Sequence, residues 1–409
     1  MAVLGNCATM ETLLQAGVNN ADLLIAMTGA DELNLLCSMT AHGINPNIHT
    51  IARICNPDYT DQVYKMQKTF ALSLTVNPEK QAAIEIERLL KFPGFLKRDS
   101  FAKGRVEIVE LRVDERSRLS NVALSELNRV IKCRVLVCAV LRRGDVVAPD
   151  GSFVLREGDR IFVTASTESL ATLLDNLGII TKKVNHVMIC GGGRVSYYLA
   201  QQLEKDGMTV RLIEKDPKHC EELAALLPKT EIINDDASNT FVLKRENLES
   251  CDALVTATGM DELNMIISLY GTKHGVSQVI TKLGHMENGS MIDQLPIGST
   301  IWPKDLCCNG IVRYIRAMHN QTGAAVSVHS IADGKAEAIE FHVEEKKPYC
   351  DKPLKNMKVK QNILVACITH GGVTELPGGD SVIREGDTVV VVTTRNDICL
   401  LYTSDAADE

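Results

Sequence analysis

The sequence predicts an α/β protein with two tandem, doubly wound parallel sheets, each followed by a small α+β module. Residues 27–36 (MTGADELNLL) recur as residues 257–266 (ATGMDELNMI), and residues 155–164 (LREGDRIFVT) recur as residues 383–392 (IREGDTVVVV). A repeat of this length indicates tandem duplication of a large unit, because solenoid repeats are much shorter. Buried strands also alternate with helices of ten to fifteen residues, which is typical of a parallel sheet.

The second copy carries the complete set of elements. A short strand within residues 186–193 runs into glycines, and a helix follows with apolar residues at positions 195, 199 and 203 on one face. Later positions predict a helix from Pro217, which suits a first helical turn, and another from Pro303 to about Asn320. The remaining pattern predicts strands within residues 209–216, 230–238, 251–259 and 277–283, with a helix over residues 261–275.

A different sequence pattern follows each predicted parallel sheet. Residues 325–395 alternate apolar and polar positions between glycine-rich turns, which is typical of a small α+β or mostly β module. The same pattern occupies residues 106–166, entered by a helix over residues 79–91. We therefore predict a first sheet domain at 1–95 and its β-rich module at 96–181, a second sheet domain at 182–320 and its module at 321–398, and a non-native tail at 399–409.

Both ends of the chain depart from the repeat. When the copies are aligned, residues 6–10 (NCATM) meet residues 236–240 (DASNT), so residues 180–235 have no counterpart upstream of Gly5. The sequence therefore predicts that Met1 is internal to a longer gene product and that the first sheet domain is truncated; a naturally shortened half-domain is the alternative. Residues 399–409 (CLLYTSDAADE) break the strand pattern and read as a translated transposon end from library preparation.

Composition excludes several classes of protein. The 409 residues are 45% hydrophobic and 23% charged, as in ordinary globular proteins. Only 4% are aromatic and the net charge is −8, which argues against nucleic-acid binding. We find neither an apolar run long enough to cross a membrane nor a signal segment, so we expect a soluble protein without membrane insertion. The 13 cysteines lack zinc-ligand spacing and are interpreted as reduced thiols of a cytosolic protein.

The sharpest chemical motif is a strand followed by residues 191–196 (GGGRVS) and a helix. In the Rossmann fingerprint, glycines permit a tight turn and bring backbone N–H groups to a pyrophosphate at the helix N-terminus. Ser196 replaces the third glycine and is small enough for close packing. Glu214 ends the next strand, where an acid accepts bonds from ribose hydroxyls and disfavours a 2′-phosphate. The motif predicts a Rossmann-like domain that binds NAD(H) or an adenosine phosphate; a glycine turn used only for packing is the alternative.

Other polar residues follow the strands. Asp235 and Asp236 end the third strand, where they either reach the adenine or ribose or cap the following helix. Thr258 ends the fourth strand and would flank the ligand. The acids at positions 261 and 262 are interpreted as first-turn residues that complement the helix dipole.

Catalytic patterns are not evident in the sequence. A dehydrogenase needs an acid–base residue beside the nicotinamide, and the β-rich modules offer no such group. We therefore expect a binding protein that is not an enzyme, with an NAD-dependent oxidoreductase as the alternative. A redox-sensing repressor is a third possibility, but the sequence lacks a helix-turn-helix pattern and a basic patch.

With these modules and the segments ICGGGRVSYYLA, IEKD, ATGMDELN, LREGD and IREGD, residues 1–398 resemble the RCK/KTN family of Trk potassium-uptake regulators. The resemblance implies two units, each a Rossmann-like N-domain followed by a small C-domain. It implies a cytoplasmic homotetramer, peripheral at the inner membrane, that binds NAD(H) and ATP or ADP. It further implies that this ring gates a membrane-spanning, potassium-translocating subunit of the TrkH/TrkG type.

The resemblance also implies the ligand-binding positions. In the second unit these are Gly191, Gly193, Arg194, Val195, Glu214, Asp236 and Thr258. In the first unit they are Asn6, Thr28 and Arg53. Because the glycine turn has no counterpart in the first copy, we expect that first site to bind poorly or not at all.

Overall fold

The computed structural model describes residues 2–91, 97–101, 105–113, 117–177, 183–284, 292, 295–319, 325–332, 335–343, 346, 348–357 and 363–394. These residues form two parallel and two antiparallel sheets in alternation along the chain, which confirms the predicted fold class. The proposed boundaries at residues 95, 181 and 320 and the tail at 399–409 lie outside the described residues. They stay predictions.

The first parallel sheet has the strand order β1-β2-β3. Its strands are short, and each is followed by a helix, so the sheet is built by crossover connections. The elements are α1 (Met10–Gln15), β1 (Leu23–Ala26), α2 (Asp31–Ile44), β2 (His49–Arg53), α3 (Pro57–Lys65), β3 (Leu74–Val76) and α4 (Pro78–Lys91).

An antiparallel sheet of order β4-β5-β8-β6-β7 follows. The repeated Arg-Glu-Gly-Asp turn precedes β8, and buried Asp159 there accepts the Arg156 N–H at 2.7 Å and ion-pairs with Arg142. The turn is therefore structural. The elements are β4 (Lys97–Phe101), β5 (Val106–Arg112), α5 (Leu127–Ile131), β6 (Leu136–Arg142), β7 (Asp145–Val147), β8 (Arg160–Ala165) and α6 (Thr167–Leu177).

The second parallel sheet has the order β11-β10-β9-β12-β13-β14. Connections run in opposite directions on the two sides of β9, and ligands of such sheets bind at the carboxyl ends of the strands where this reversal occurs. The elements are β9 (His186–Cys190), α7 (Arg194–Lys205), β10 (Thr209–Glu214), α8 (Pro217–Leu226), β11 (Glu231–Asn234), α9 (Thr240–Arg245), β12 (Ala253–Thr256), α10 (Asp261–Lys273), β13 (Gln278–Lys282), β14 (Ser299–Ile301) and α11 (Pro303–His319).

The second antiparallel sheet repeats the topology of the first, with the order β15-β16-β19-β17-β18. Its Arg-Glu-Gly-Asp turn is again structural, because buried Asp387 accepts a bond from the Arg384 N–H and a second from His370 Nδ1 at 2.8 Å. The strands are β15 (Ala325–Ile331), β16 (Ala336–His342), β17 (Ile363–His370), β18 (Val373–Glu375) and β19 (Thr388–Thr393).

The two parallel sheets exchange their last helices. Helix α4 follows the first sheet in sequence, yet its apolar face packs in the core of the second sheet against α7. Helix α11 follows the second sheet, and its Ile311 packs with Ile51 and Val76 of the first. Polar contacts fix both helices: Gln278 Nε2 donates to the Leu89 carbonyl at 2.7 Å, and His49 Nδ1 lies 2.7 Å from the Tyr314 hydroxyl.

The two antiparallel sheets pack on each other. One apolar cluster joins side chains of β4, β5, β6 and β8 to side chains of β16, β17 and β19, including buried Phe101, Phe162, Ala338, Cys367 and Val390. Both pairs of like domains therefore share buried surface. In the part of the chain that the structure describes, every helix is too short or too polar to cross a lipid bilayer.

Candidate nucleotide site

The glycine turn lies at the carboxyl end of β9, between β10 and β12. Gly191 has φ +99°, in the region that favours glycine. A Cβ atom at Gly191 would lie 2.8 Å from Thr258 Cα and 2.9 Å from Thr258 N, and neither backbone atom can move away cheaply. Only glycine therefore lets the end of β9 approach the end of β12 this closely.

Both backbone polar groups of Gly192, its N–H and its carbonyl, have hydrogen-bond partners. Its N–H donates to Glu214 Oε2 at 2.7 Å, and its carbonyl lies 2.9 Å from His219 Nε2. A Cβ atom here would lie 2.8 Å from Leu223 Cδ1. Neither Gly192 nor His219 was predicted as a site residue. The run of three consecutive glycines is a sequence signal for Gly192, whereas no sequence signal points to His219.

Gly193 is the N-cap of α7, and a Cβ atom there would have no neighbour within 4 Å. Lacking a side chain, it provides no cap for the first-turn N–H groups, whereas Asp216 and Asn239 cap α8 and α9. Uncapped N–H groups at a helix N-terminus, facing open space, suit a phosphate group.

The residues after Gly193 divide between surface and core. Arg194 is exposed at the first helical position, directly after the turn in sequence. Val195 is 5% exposed and belongs to the core, so its side chain does not line the site and only its backbone N–H is available to a ligand. Ser196 is fully buried, which confirms that a small residue serves close packing here.

Glu214 lies at the end of β10, next to the turn. Besides the Gly192 N–H, its carboxylate accepts the Asp216 N–H at 2.9 Å. Asp236 instead accepts the Ser238 N–H at 2.8 Å, and the Ser238 N–H and hydroxyl lower the pKa of the Asp236 carboxyl. Contact between Asp236 and a ligand stays a prediction, while its role in its own turn is observed.

Thr258 is held by a buried amide. Asn264 is fully buried, and its Oδ1 accepts the Thr258 N–H at 2.9 Å and the Thr258 hydroxyl at 2.7 Å. Its Nδ2 donates to the Lys282 carbonyl at 2.9 Å. Asn264 therefore locks the end of β12 to the end of β13, a role that the recurring DELN segment did not reveal because the Lys282 carbonyl lies outside that segment, 18 residues further along the chain.

Two charged residues complete this edge of the sheet. Lys282 Nζ donates to the Thr258 carbonyl at 2.7 Å, and burial lowers the pKa of the Lys282 ammonium. Asp261 accepts the Gly284 N–H at 2.9 Å through its carboxylate. Asp261 thus holds the chain after β13, in addition to its favourable position in the first turn of α10.

The first unit repeats this lock. Asn34 Oδ1 accepts the Thr28 N–H and hydroxyl, both at 2.7 Å, and Asn34 Nδ2 donates to the Arg53 carbonyl at 2.9 Å. The structure therefore brings Thr28 and Arg53 together. Asn6 does not join them through this lock; its Oδ1 accepts the Ala8 N–H in its own turn at 3.0 Å.

The residues of the second site have the chemistry that we predict for a site holding the adenosine part of a dinucleotide. In a nucleotide-bound protein the uncapped start of α7 and the Gly193 surface would offer N–H groups to a pyrophosphate, and Glu214 would offer carboxylate oxygens to ribose hydroxyls. The negative charge of Glu214 would repel a 2′-phosphate, which favours NAD(H) over its phosphorylated form.

We predict that Glu214→Gln weakens NADH binding by roughly 10- to 100-fold, because a charge-assisted hydrogen bond contributes about 1.5–3 kcal/mol. The glutamine NH₂ group would also face one of the two backbone N–H groups, of Gly192 or Asp216, that now donate to the Glu214 carboxylate. Calorimetric titration checks the affinity. Glu231→Gln is the matched control. Glu231 is the first residue of β11, at the end of that strand away from the glycine turn, and its carboxylate pairs with Arg211. Equal affinities in the two variants would contradict a ribose role for Glu214.

Comparison with known proteins follows the same division of the chain. The TrkA-N domain model matches residues 1–74 and 187–303, and the TrkA-C domain model matches residues 108–178 and 338–403. The Trk system potassium uptake protein TrkA homolog 1 of Methanosarcina mazei is 29% identical over 398 residues, covering 96% of this chain and 87% of the relative.

Solved structures show a similar fold. The crystal structure of the GsuK RCK domain aligns with a TM-score of 0.59 and 14% identity, covering 95% of this chain and 81% of that chain. The GsuK channel bound to NAD aligns with a TM-score of 0.57 and 14% identity, covering 95% of this chain and 68% of that chain. At this identity the likeness concerns the fold alone.

Proposed function

The chain belongs to the family of proteins built from TrkA-N and TrkA-C domains, and from this premise we propose that it is a nucleotide-binding regulatory subunit of a Trk-type potassium uptake system. Its role would be to gate potassium movement through a separate membrane protein. The observation that carries the proposal is the site of the second unit, where the glycine turn, the uncapped α7 and Glu214 meet.

We propose NAD(H) as the ligand of this site, with ATP or ADP as competitors that share its adenosine phosphate part. A GsuK channel of similar fold is described as bound to NAD, which agrees with the chemistry of Glu214. In the ligand-bound protein, α7 and Gly193 would hold the pyrophosphate and Glu214 the ribose.

We propose binding without turnover. His219, the histidine that contacts the glycine turn, bonds to a backbone carbonyl and to Glu222, so its ring nitrogens are engaged within the protein. A hydride-transfer enzyme needs an acid–base group that faces substrate. An NAD-dependent oxidoreductase is the second candidate, favoured only by the glycine motif.

A path for the signal begins at α7, which starts at the glycine turn. The hydroxyl of Tyr198 in α7 donates to the Cys55 carbonyl at 3.1 Å and accepts from Asn77 Nδ2 at 3.2 Å, both in the first unit. A nucleotide that prefers one placement of α7 would shift the arrangement of the two N-domains by its difference in affinity. The membrane subunit would respond to that arrangement.

We propose that the chain assembles as a homotetramer at the cytoplasmic face of the inner membrane and binds a TrkH/TrkG-type subunit. Both N-domains expose large apolar side chains at their outer helices, as expected of surfaces that become covered. Light scattering of the purified chain measures its mass; a monomer of 44.8 kDa at all concentrations would contradict the tetramer. These exposed side chains include Met10, Leu14, Leu36 and Met39 in the first unit and Phe241, Met260 and Ile266 in the second.

The test of function is titration with NADH, NAD, ATP and ADP by calorimetry while nicotinamide absorbance is followed. We expect saturable binding near one site per chain and stable absorbance. Steady NADH oxidation would replace this proposal with the oxidoreductase. If circular dichroism shows that the protein is folded and none of the four nucleotides binds, the glycine turn serves packing only.

A further inference from the structure

We propose that His219 is a proton-dependent positioning residue of the nucleotide site, which binds nucleotide more tightly when His219 is protonated. The inference rests on the proposed function, because it concerns the same glycine turn. It adds a residue and a form of regulation that neither the glycine motif nor the position of Glu214 implies.

The hydrogen bonds of His219 require two donors. Nε2 lies 2.9 Å from the Gly192 carbonyl oxygen, and Nδ1 lies 3.0 Å from Glu222 Oε2. A carbonyl and a carboxylate are acceptors only, and a neutral imidazole carries a single N–H. Both bonds are therefore satisfied only by the doubly protonated ring, and loss of the proton forces His219 to give up one of them.

The bond to Gly192 sets the direction of the next N–H group. A trans peptide is planar, with its C=O and N–H pointing in opposite directions. When His219 holds the Gly192 carbonyl towards α8, the Gly193 N–H points away from α8, at the start of α7. Glu214 holds the preceding Gly192 N–H at 2.7 Å, so the turn is fixed on both sides before a phosphate arrives.

The charges around His219 favour its protonated form. Its own helix presents Glu222, β10 presents Glu214, and the turn presents the Gly192 carbonyl. The bond with Glu222 raises the pKa of His219 above its ordinary value, burial opposes this, and the Gly192 carbonyl and the Glu214 charge add to the rise. Nucleotide affinity should then be full at low pH and fall as the pH passes upward through the pKa of His219.

We would titrate the full chain with NADH by calorimetry at about pH 6.5 and about pH 8.5, on either side of the expected transition of a histidine with a raised pKa. Affinity of the wild-type protein should fall by about three- to tenfold at the higher pH, because partial exposure reduces the lost bond to the net strength of an ordinary hydrogen bond. His219→Gln keeps one donor without a titrating charge, so its affinity should be nearly independent of pH.

His274→Gln is the matched control. His274 pairs with Glu249 at 2.9 Å, in the same manner as His219 with Glu222, but it follows α10 and does not touch the turn. It should keep the pH dependence of the wild-type protein. A second readout is the NMR titration of the His219 ring, whose pKa should rise when NADH saturates the protein, because coupling between two ligands is reciprocal.

The outcomes separate the two proposals. If NADH fails to bind the folded wild-type protein at both pH values, the proposed function fails and this inference with it. If NADH binds, but with equal affinity at both values or with the same pH dependence in His219→Gln, the inference about His219 is wrong and the proposed function stands.

Discussion

Gly193→Asp should lower the affinity for NADH by at least about a hundredfold while the protein keeps its thermal stability. Gly193 is the N-cap of α7 with φ −64° and ψ 179°, and a Cβ atom there meets no neighbour within 4 Å, so aspartate fits without strain. Aspartate is also a better N-cap than glycine, by a few tenths of a kcal/mol. Its carboxylate would bind the first-turn N–H groups that we assign to the pyrophosphate and would repel the phosphates.

The comparison variant is Gly193→Ala, which adds the same Cβ atom without charge. It should weaken NADH binding far less than the aspartate does. Calorimetry gives the affinities, and differential scanning fluorimetry shows whether each variant is folded. If Gly193→Asp is folded and binds NADH as tightly as the wild-type protein, the phosphate does not lie at the start of α7.

The glycine turn and Glu214 could be predicted because their signals are local. Three glycines between a buried strand and an amphipathic helix leave few alternatives, and an acid at the end of the next strand has a fixed place beside that turn. The fold class could be predicted for a similar reason, since strands and helices alternate over a long repeat. Strands β3 and β14 and helix α9 were missed because three to six residues carry too little periodicity.

Other features could not be predicted because they depend on partners distant in sequence. Val195 is a different case, because its spacing with Leu199 and Leu203 already places it on the apolar face of α7. Its side chain packs in the core, so its assignment as a ligand contact applies to the backbone at most. The exchange of α4 and α11 between sheets leaves no sequence signal, since an amphipathic helix packs equally well on either of two similar sheets.

Because Asn264 joins the end of β12 to the end of β13, we expect its loss to destabilise the second N-domain strongly. Asn264→Leu fills a similar volume but leaves the Thr258 N–H and the Lys282 carbonyl, both partly buried, without their present partner. An unsatisfied buried group costs about 1–3 kcal/mol; because water partly reaches these two groups, we take the lower part of that range and expect the second N-domain to lose about 2–4 kcal/mol of stability. NADH affinity should fall as well, because the Thr258 backbone packs directly against Gly191.

The single tryptophan makes this loss measurable in one domain. Trp302 follows β14 and packs near Leu283 and Ile297 in the second N-domain, so urea unfolding followed by its fluorescence reports that domain. Asn34→Leu removes the equivalent lock in the first unit and should shift the Trp302 transition less, whereas the exposed Asn185→Ala should leave it nearly unchanged. Equal shifts for Asn264→Leu and Asn34→Leu would mean that the exchanged helices make both N-domains unfold as one unit. The hydrogen bonds of either asparagine would then stabilise both N-domains together, not only the sheet in which they lie.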